Sequence, residues 1–194
     1  MAQANCLMNN PRVSVVICTN GRCEALEVAL QSLRQQKFQN FEVCVISGPD
    51  EDGTEGLLDK WNGSIKRARN SQRNLSISRN LGIQLAAGEI IAYIDDDSIP
   101  EAEWLKQIVS AYDSPNVGGV GGHVFDHTGV NFQWKYGTTD RLADANLSWP
   151  AYQEQFNHPY SYNYPHMLGA NSTFLRSALA SIGGFDEEYD YFLD

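Results

Sequence analysis

The sequence predicts an α/β fold, in which helices cover both faces of a mostly parallel β-sheet. Two observations predict it. Within residues 12–115, short β-branched runs alternate with segments whose apolar residues recur at helical spacing. The short runs are apolar almost throughout, as expected for strands that are buried on both faces. Strands that alternate with helices in this way are typical of a parallel sheet.

The first two predicted elements are a strand and a helix. The run "RVSVVICTN" (residues 12–20) predicts a buried strand that ends in a turn at Asn20 and Gly21. A helix is predicted from Ala25 onward, because apolar residues follow at positions i, i+3, i+4 and i+7. These residues are Leu26, Ala29, Leu30 and Leu33.

Three strands and three helices are predicted after them. "FEVCVIS" (41–47) predicts a second buried strand, and a short helix and a third strand follow at residues 57–61 and 64–69. "SISRNLGIQLAAGE" predicts a helix that ends near Gly88, and "EIIAYID" predicts the fourth strand. Ser98 and Glu101 have the spacing of a capping box and predict the start of another helix. The apolar face of that helix would consist of Trp104, Leu105, Ile108, Val109 and Tyr112.

The second half of the chain has a different pattern. Residues 116–129 mix glycine with strand formers, and residues 131–165 are rich in aromatic side chains without clear periodicity. A segment of this length without a pattern is typical of a functional or ligand-ordered region. The aromatic rings could stack on sugars or pack in the core. With 194 residues, we expect a single domain with a ligand-binding half at 12–115 and a smaller mixed region at 116–194.

The composition excludes several classes of partner. The net charge of −10, from 14 basic and 24 acidic residues, argues against nucleic acid or an anionic membrane surface as the main partner. No apolar run approaches the roughly 18–20 residues of a membrane span, and the first ten residues lack a signal-peptide pattern. The four cysteines have no zinc-ligand spacing, which predicts reduced thiols in a cytoplasmic protein.

Three consecutive aspartates, Asp95, Asp96 and Asp97, follow the fourth predicted strand. Two like charges about 4 Å apart repel by about 4 kcal/mol at an effective dielectric constant of about 20, so a positive group should neutralise them. If the chain stays extended, Asp95 and Asp97 point one way and Asp96 the other. Oxygen ligands at a strand end suit Mg²⁺ or Mn²⁺ better than zinc. The alternative is an acidic turn that stabilises the start of the next helix.

Polar segments follow the first, second and fourth predicted strands: "CTNGR", "SGPDEDG" and "DDDS". The carboxyl ends of parallel strands lie at one edge of the sheet, where ligands bind in open α/β folds. A divalent cation between the aspartates and a diphosphate would allow an acidic protein to bind an anionic ligand there. A zinc site at His123, Asp126 and His127 would have an incomplete ligand set, and surface histidines are the simpler interpretation.

Several motifs, in the same order, resemble the family 2 glycosyltransferases of the GT-A fold, which use nucleotide-activated sugars. They are "SVVICTNGR", "SRNLGIQLAAGE", "GEIIAYIDDDSIP" and "LGANSTFLRSALASIGGFDEEYD". The resemblance implies a Rossmann-like, mostly parallel sheet. It also implies a nucleotide-diphosphate sugar donor, a glycan or lipid-linked acceptor, and inversion at the sugar carbon. It places residues 12–115 at the donor, residues 116–194 at the acceptor, and the protein in the cytoplasm at the inner face of the membrane.

The resemblance also implies roles for single residues. Thr19 would contact the nucleotide base and Arg79 would approach the nucleotide, although Arg79 could also be a surface residue of a basic cluster. Asp95 and Asp96 would lie at the donor, with Asp96 at its ribose or at the metal. Asp97 would be the direct ligand of Mg²⁺ or Mn²⁺.

Two positions depart from the family pattern. Ser47 stands where many relatives carry an aspartate that reads the base, and Asp50 and Asp52 are the alternative candidates for that role. Asp194 is the acid in the segment that carries the family's general base, but the alignment could also place it just before that base. We therefore expect a chain truncated at its C-terminus. Its alternative function is that of a sugar-nucleotide-binding module without catalysis.

Overall fold

The computed structural model describes residues 10–134, 137–142, 144–146 and 164–189. The strands in this part of the chain are β1 (Val13–Thr19), β2 (Phe41–Ser47), β3 (Lys66–Arg69), β4 (Ile90–Tyr93), β5 (Gly119–Gly121), β6 (Val124–Phe125), β7 (Phe132–Trp134), β8 (Thr138–Thr139), β9 (Ala145–Asn146), β10 (Tyr164–Pro165) and β11 (Ser172–Leu175). The helices are α1 (Cys23–Leu33), α2 (Thr54–Lys60), α3 (Leu75–Leu85), α4 (Trp104–Ala111) and α5 (Arg176–Ser181), with a 3₁₀ turn at Gly169–Asn171.

A six-stranded sheet organises the described residues in the order β3-β2-β1-β4-β11-β5. The first four strands are parallel, whereas β11 runs antiparallel to both of its neighbours. Two small antiparallel sheets, β10-β8-β9 and β6-β7, come from the second half of the chain. The predicted α/β fold with a mostly parallel sheet is therefore confirmed, and so are its four predicted strands.

The sheet separates two hydrophobic cores, because alternate side chains of each strand point to opposite faces. Val15 and Ile17 of β1 belong to the core that includes the buried leucines of α1, α2 and α4. Val16 belongs to the other core, with residues of α3 and α5. Helices thus cover both faces. The predicted apolar face of α1 is confirmed, since all four of its predicted residues are buried.

Helix α3 lies very close to β1 at Gly82. A methyl group built on Gly82 would lie 2.4 Å from Cγ1 of Val16. Because a crossover helix runs back along the strands, this contact leaves the beginning of α3 at the edge where the parallel strands end. Gly82 therefore helps to bring the first turn of α3 to the ligand edge of the sheet.

Hydrogen bonds of Glu42 connect the segment just after α3 to the sheet. Its Oε1 accepts hydrogen bonds of 2.6 Å from both the Ser14 hydroxyl and the Ala87 amide, and its Oε2 lies 2.8 Å from Lys66 Nζ. Burial opposes the charge of Glu42, but these partners outweigh burial and hold its pKa below the ordinary value. The helix ends at Leu85, earlier than predicted, because Ala86 is already extended and the following amide binds Glu42.

The predicted capping box at Ser98 and Glu101 is wrong. Helix α4 begins at Trp104, with Glu103 at its N-cap and no side-chain cap. Pro100 disfavours helical backbone in the residue before it, so a helix cannot easily start there. The buried side chain of Gln36 does the capping instead: it accepts from the Leu105 amide at 3.0 Å and donates to the Glu101 carbonyl at 2.7 Å.

The predicted apolar face of α4 is confirmed in its main part. Within the helix, Leu105 and Ile108 are buried. Tyr112, just after the helix, is also buried, and its hydroxyl shares a hydrogen bond with the Thr173 hydroxyl. None of the helices in the described ranges combines the length and the hydropathy that crossing a bilayer requires.

Candidate functional site

A cavity of about 330 Å³ opens at the carboxyl ends of the parallel strands. Its walls come from Thr19, Asn20 and Arg22 after β1, Gly48 and Pro49 after β2, Arg73, Asn74 and Leu75 at the start of α3, and Asp95 and Asp96 after β4. The predicted convergence of three distant polar segments at this edge is therefore confirmed. The N-terminus of α3 adds partial positive charge to the wall.

The aspartates differ in exposure, but the chain turns at Asp96 and Asp97, so the condition of an extended chain is not met. Asp95 and Asp97 are exposed, whereas Asp96 is only 5% exposed. Although Asp95 is exposed as a residue, loss of solvent around its carboxyl group at the cavity wall raises its pKa, Asp97 raises it further, and Arg79 opposes the rise. Burial also raises the pKa of Asp96, and Arg22 opposes that rise. Desolvation therefore outweighs the neighbouring positive charges at both carboxylates.

Arg22 supplies positive charge to the aspartates in this structure. Its Nη1 lies 2.9 Å from Oδ2 of Asp97 and 3.4 Å from Oδ1 of Asp96. Arg22 precedes α1 and follows Gly21, whose φ of +73° turns the chain at the end of β1. Sequence reasoning missed this residue, and its only signal was its place in "CTNGR".

The residues present fit a divalent cation that is shared with a phosphate ligand. The described residues contain no group of three or more His, Cys, Asp or Glu side chains that could hold a metal ion by themselves. Mg²⁺ in phosphate-binding sites, however, commonly uses only one or two carboxylates and takes its other ligands from phosphate and water. Asp96 and Asp97 offer such oxygens. Thr19 Oγ1 is buried next to Asp96 without hydrogen-bond geometry to any partner in the described structure.

Arg79 is not the surface residue that the alternative interpretation required. It is half-buried on α3, with its guanidinium carbon 5.8 Å from the ring centre of Tyr93 and 5.2 Å from that of Phe185. These cation–π contacts hold the charge where it lowers the pKa of Asp95. Arg79 therefore lies where its charge favours the ionised form of Asp95.

Ser47, the predicted base-side residue, lies at the end of β2. It is buried, and its hydroxyl donates to Oε1 of Glu55 at 2.6 Å. Asp52, an alternative candidate, accepts hydrogen bonds from the backbone amides of Cys23 and Thr54. Both side chains thus have partners within the protein, and their roles toward a base stay predictions.

Asp50 is the carboxylate of this loop that lies beside the cavity wall. It accepts hydrogen bonds from Asn20 Nδ2 at 3.0 Å and from Arg73 at 2.5 Å, and both partners line the cavity. Nothing local in the sequence indicates the pairing of Arg73 with Asp50. Asn20, Asp50 and Arg73 together form a polar rim on the β2 side of the cavity.

Two further predictions concern the second half of the chain. Asp126 accepts from the amide and hydroxyl of Thr128, which closes a turn, and the described residues hold no zinc-ligand group at His123 and His127. Asp194, the predicted general base, lies outside the described residues, as do all the aromatic residues between 147 and 163.

A comparison with known protein families identifies the family of this chain. The sequence model of Glycosyl transferase family 2 matches residues 14–183. The chain belongs to this family. Its match includes all of the parallel strands, the aspartates after β4, and α5.

This family 2 protein is similar to proteins from several organisms. Glucosyl-dolichyl phosphate glucuronosyltransferase of Haloferax volcanii is 25% identical over 189 residues, which cover 90% of this chain and 56% of that protein. The mannosyltransferase PcManGT of Pyrobaculum calidifontis, solved with GDP-Man and Mn²⁺, superimposes with a TM-score of 0.65 at 21% identity. TarS residues 1–349 of S. aureus superimpose with a TM-score of 0.61 at 19% identity.

The structural matches establish the GT-A fold, since both solved proteins are glycosyltransferases that share this arrangement of strands and helices. The alignments cover 92% and 93% of this chain, but only 48% of PcManGT and 52% of the TarS fragment. The family 2 protein thus spans about half the length of the relatives it matches.

Proposed function

We propose that this family 2 protein transfers a sugar from a nucleotide-diphosphate donor to an acceptor hydroxyl, with inversion at the sugar carbon and with Mg²⁺ or Mn²⁺ as cofactor. One observation carries the proposal: Asp95 and Asp96 line the cavity at the end of β4, and Asp97 lies beside them. Support comes from the family match and from two solved relatives, PcManGT with GDP-Man and Mn²⁺ and TarS with UDP-GlcNAc.

The cavity has the features that a nucleoside diphosphate requires. Its volume of about 330 Å³ lies within the usual range for small-molecule sites. Arg22 and Arg73 line it, and the first turn of α3 contributes a helix N-terminus, which favours anions. These local positive groups allow an anionic donor to bind although the whole chain carries a net charge of −10.

Each side chain of the site has a role in the proposal. Thr19 and the rim of Asn20, Asp50 and Arg73 face the nucleoside, and Arg79 keeps Asp95 ionised near the donor. Asp96 and Asp97 would hold the cation, which supplies a Lewis acid for the charge that develops on the departing diphosphate. Because Ser47 donates to Glu55, we assign it a structural part in the β2 wall.

The acceptor side of the proposal rests on the family resemblance. Asp194 is the proposed general base, which would remove the proton from the acceptor hydroxyl as its oxygen attacks the sugar carbon in line with the departing diphosphate. Attack from the face opposite the leaving group inverts that carbon. The acceptor is a glycan or a lipid-linked precursor, and the protein would act in the cytoplasm at the inner face of the membrane.

Donor hydrolysis tests the proposal directly. The protein is incubated with UDP- and GDP-sugars, with Mn²⁺ or with chelator, and released nucleoside diphosphate is measured. We expect release that requires Mn²⁺ and falls by at least about 100-fold in Asp97→Asn, since loss of one key electrostatic group commonly costs this much. Asp113→Asn is the matched control, because Asp113 is exposed beyond α4.

The outcome separates an enzyme from a binding module. Mn²⁺-dependent binding of a nucleoside diphosphate without release from any donor would show a module. Binding that is equally strong with chelator would contradict the assignment of the aspartates to a cation.

A further inference from the structure

Arg22 takes the place in which a cation is expected. Its guanidinium lies 2.9 Å from Asp97 and 3.4 Å from Asp96, the two carboxylates that the proposed function assigns to Mg²⁺ or Mn²⁺. A guanidinium and a divalent ion compete for the same oxygen lone pairs, and their like charges repel at this range. The pairing seen here therefore opposes the binding of a cation to the same carboxylate oxygens.

Arg22 is held at its backbone and free to turn at its side chain. Its carbonyl accepts from the Leu26 amide at 3.0 Å, which fixes the residue at the start of α1. Its side chain remains 43% exposed and makes no capping bond to the helix. The guanidinium can therefore change partners without disturbing the fold.

The cavity offers Arg22 a second partner when a donor is bound. Arg22 lines the same cavity as Asn74 and Leu75, which form the anion-favouring N-terminus of α3. A planar guanidinium binds phosphate oxygens in bidentate fashion and is the preferred side chain for that purpose. A diphosphate in the cavity would lie between these positive groups.

We propose that Arg22 exchanges partners during donor binding: it pairs with Asp96 and Asp97 in the free protein, and it turns to the diphosphate when these carboxylates receive a divalent cation. The inference rests on the proposed function and adds to it a residue with two alternating roles. Arg22 neutralises the aspartates in the free protein, and the donor and the cation replace that neutralisation together. Binding of the cation alone is thereby disfavoured.

The exchange predicts effects of opposite sign on two ligands. Without the Arg22 charge, the carboxylates are available to a cation, so Mn²⁺ alone should bind more tightly. A partly exposed ion pair changes an affinity by a factor of about 2–5, and the double charge of the ion extends this to about 3–10. The diphosphate loses a charge-assisted partner, so UDP or GDP at saturating Mn²⁺ should bind about 3–10 times more weakly.

Isothermal titration calorimetry on the whole chain tests this with Mn²⁺ alone, and then with UDP and GDP at saturating Mn²⁺. The variants are Arg22→Gln and, as a conservative substitution that keeps the charge, Arg22→Lys. Arg67→Gln is the matched control, because Arg67 pairs with Asp59 and does not line the cavity. We expect Arg22→Gln to tighten Mn²⁺ and weaken the diphosphate, Arg22→Lys to show smaller changes, and Arg67→Gln to leave Mn²⁺ affinity within about twofold.

The contrary outcomes are distinct. If the parent protein binds a diphosphate with Mn²⁺ but Arg22→Gln leaves Mn²⁺ affinity unchanged or lower, the exchange is refuted while the proposed function stands. Tighter Mn²⁺ with unchanged diphosphate affinity refutes the turn toward the diphosphate. If the parent protein binds no diphosphate under any condition, the proposed function itself fails. Circular dichroism of Arg22→Gln and Arg22→Lys establishes that both are folded.

Discussion

Replacing Glu42 by glutamine is expected to destabilise the protein by about 1–3 kcal/mol at neutral pH. The carboxylate accepts from Ser14 and Ala87 and pairs with Lys66, and its side chain is only 16% exposed. The amide oxygen of glutamine can keep both hydrogen bonds that Oε1 accepts, but the substitution removes the charge and presents an NH₂ group to Lys66 in place of Oε2. Hydrogen bonds to charged groups contribute about 1.5–3 kcal/mol each, and partial compensation by the amide oxygen lowers the total.

The sign of the pH dependence follows from the direction of the pKa shift. The pKa of Glu42 is lowered in the folded protein from an ordinary value of 4.5. Its stabilising contribution is therefore fully present above pH 4.5 and is lost as the pH falls through the lower, folded-state pKa. The difference between the parent protein and Glu42→Gln should be largest near pH 7 and should shrink as the pH falls below about 4.5.

Urea unfolding followed by circular dichroism measures this difference at several pH values. A loss of about 2 kcal/mol corresponds to a fall in melting temperature of roughly 4–8 °C for a chain of this size. Glu51→Gln is the control, because Glu51 is exposed in the loop after β2. Equal stability of Glu42→Gln and Glu51→Gln at pH 7 would show that the Glu42 carboxylate does not stabilise the fold. A stability difference between the parent protein and Glu42→Gln that grew in acid would show the same.

Three further predictions concern packing, capping and charge. Gly82→Ala should destabilise the protein by about 1–3 kcal/mol, because the added methyl group is forced against β1. Gly56→Ala is the control: with open space around it, it should be neutral or stabilising by up to about 1 kcal/mol. The reverse order of stability in urea unfolding would contradict the close approach of α3. Gln36→Ala should lower the free energy of unfolding by about 1–3 kcal/mol, because it leaves buried backbone groups at the start of α4 unpaired. Amide hydrogen exchange should then be faster in the first turn of α4. Unchanged protection would show that this turn needs no cap. Arg79→Gln should weaken UDP or GDP binding with Mn²⁺ by about tenfold, because it removes the positive charge that supports Asp95 at the cavity. Arg67→Gln should not, because Arg67 on β3 pairs with Asp59 on α2. Equal effects of the two substitutions in calorimetry would show only a general charge effect.

The sequence predicted those residues of the site that lie at the ends of strands. Thr19 and the aspartates follow apolar runs that are strong strand signals, and the carboxyl ends of parallel strands share one edge. The roles assigned to single residues depend on contacts that no local pattern contains. Ser47 could be placed at that edge, but its hydrogen bond to Glu55 could not be foreseen.

The sequence by itself determined the α/β class, the first four strands, the apolar faces of α1 and α4 and the position of the acidic run, because these depend on spacings of two to four residues along the chain. Only the tertiary structure decided which charges meet. Arg22 and Asp96 are 74 positions apart, Gln36 and the amide it caps are 69 apart, and Glu42 and Ala87 are 45 apart. Such pairs form because folding brings strand ends and helix ends together, and each partner alone looks like an ordinary polar residue.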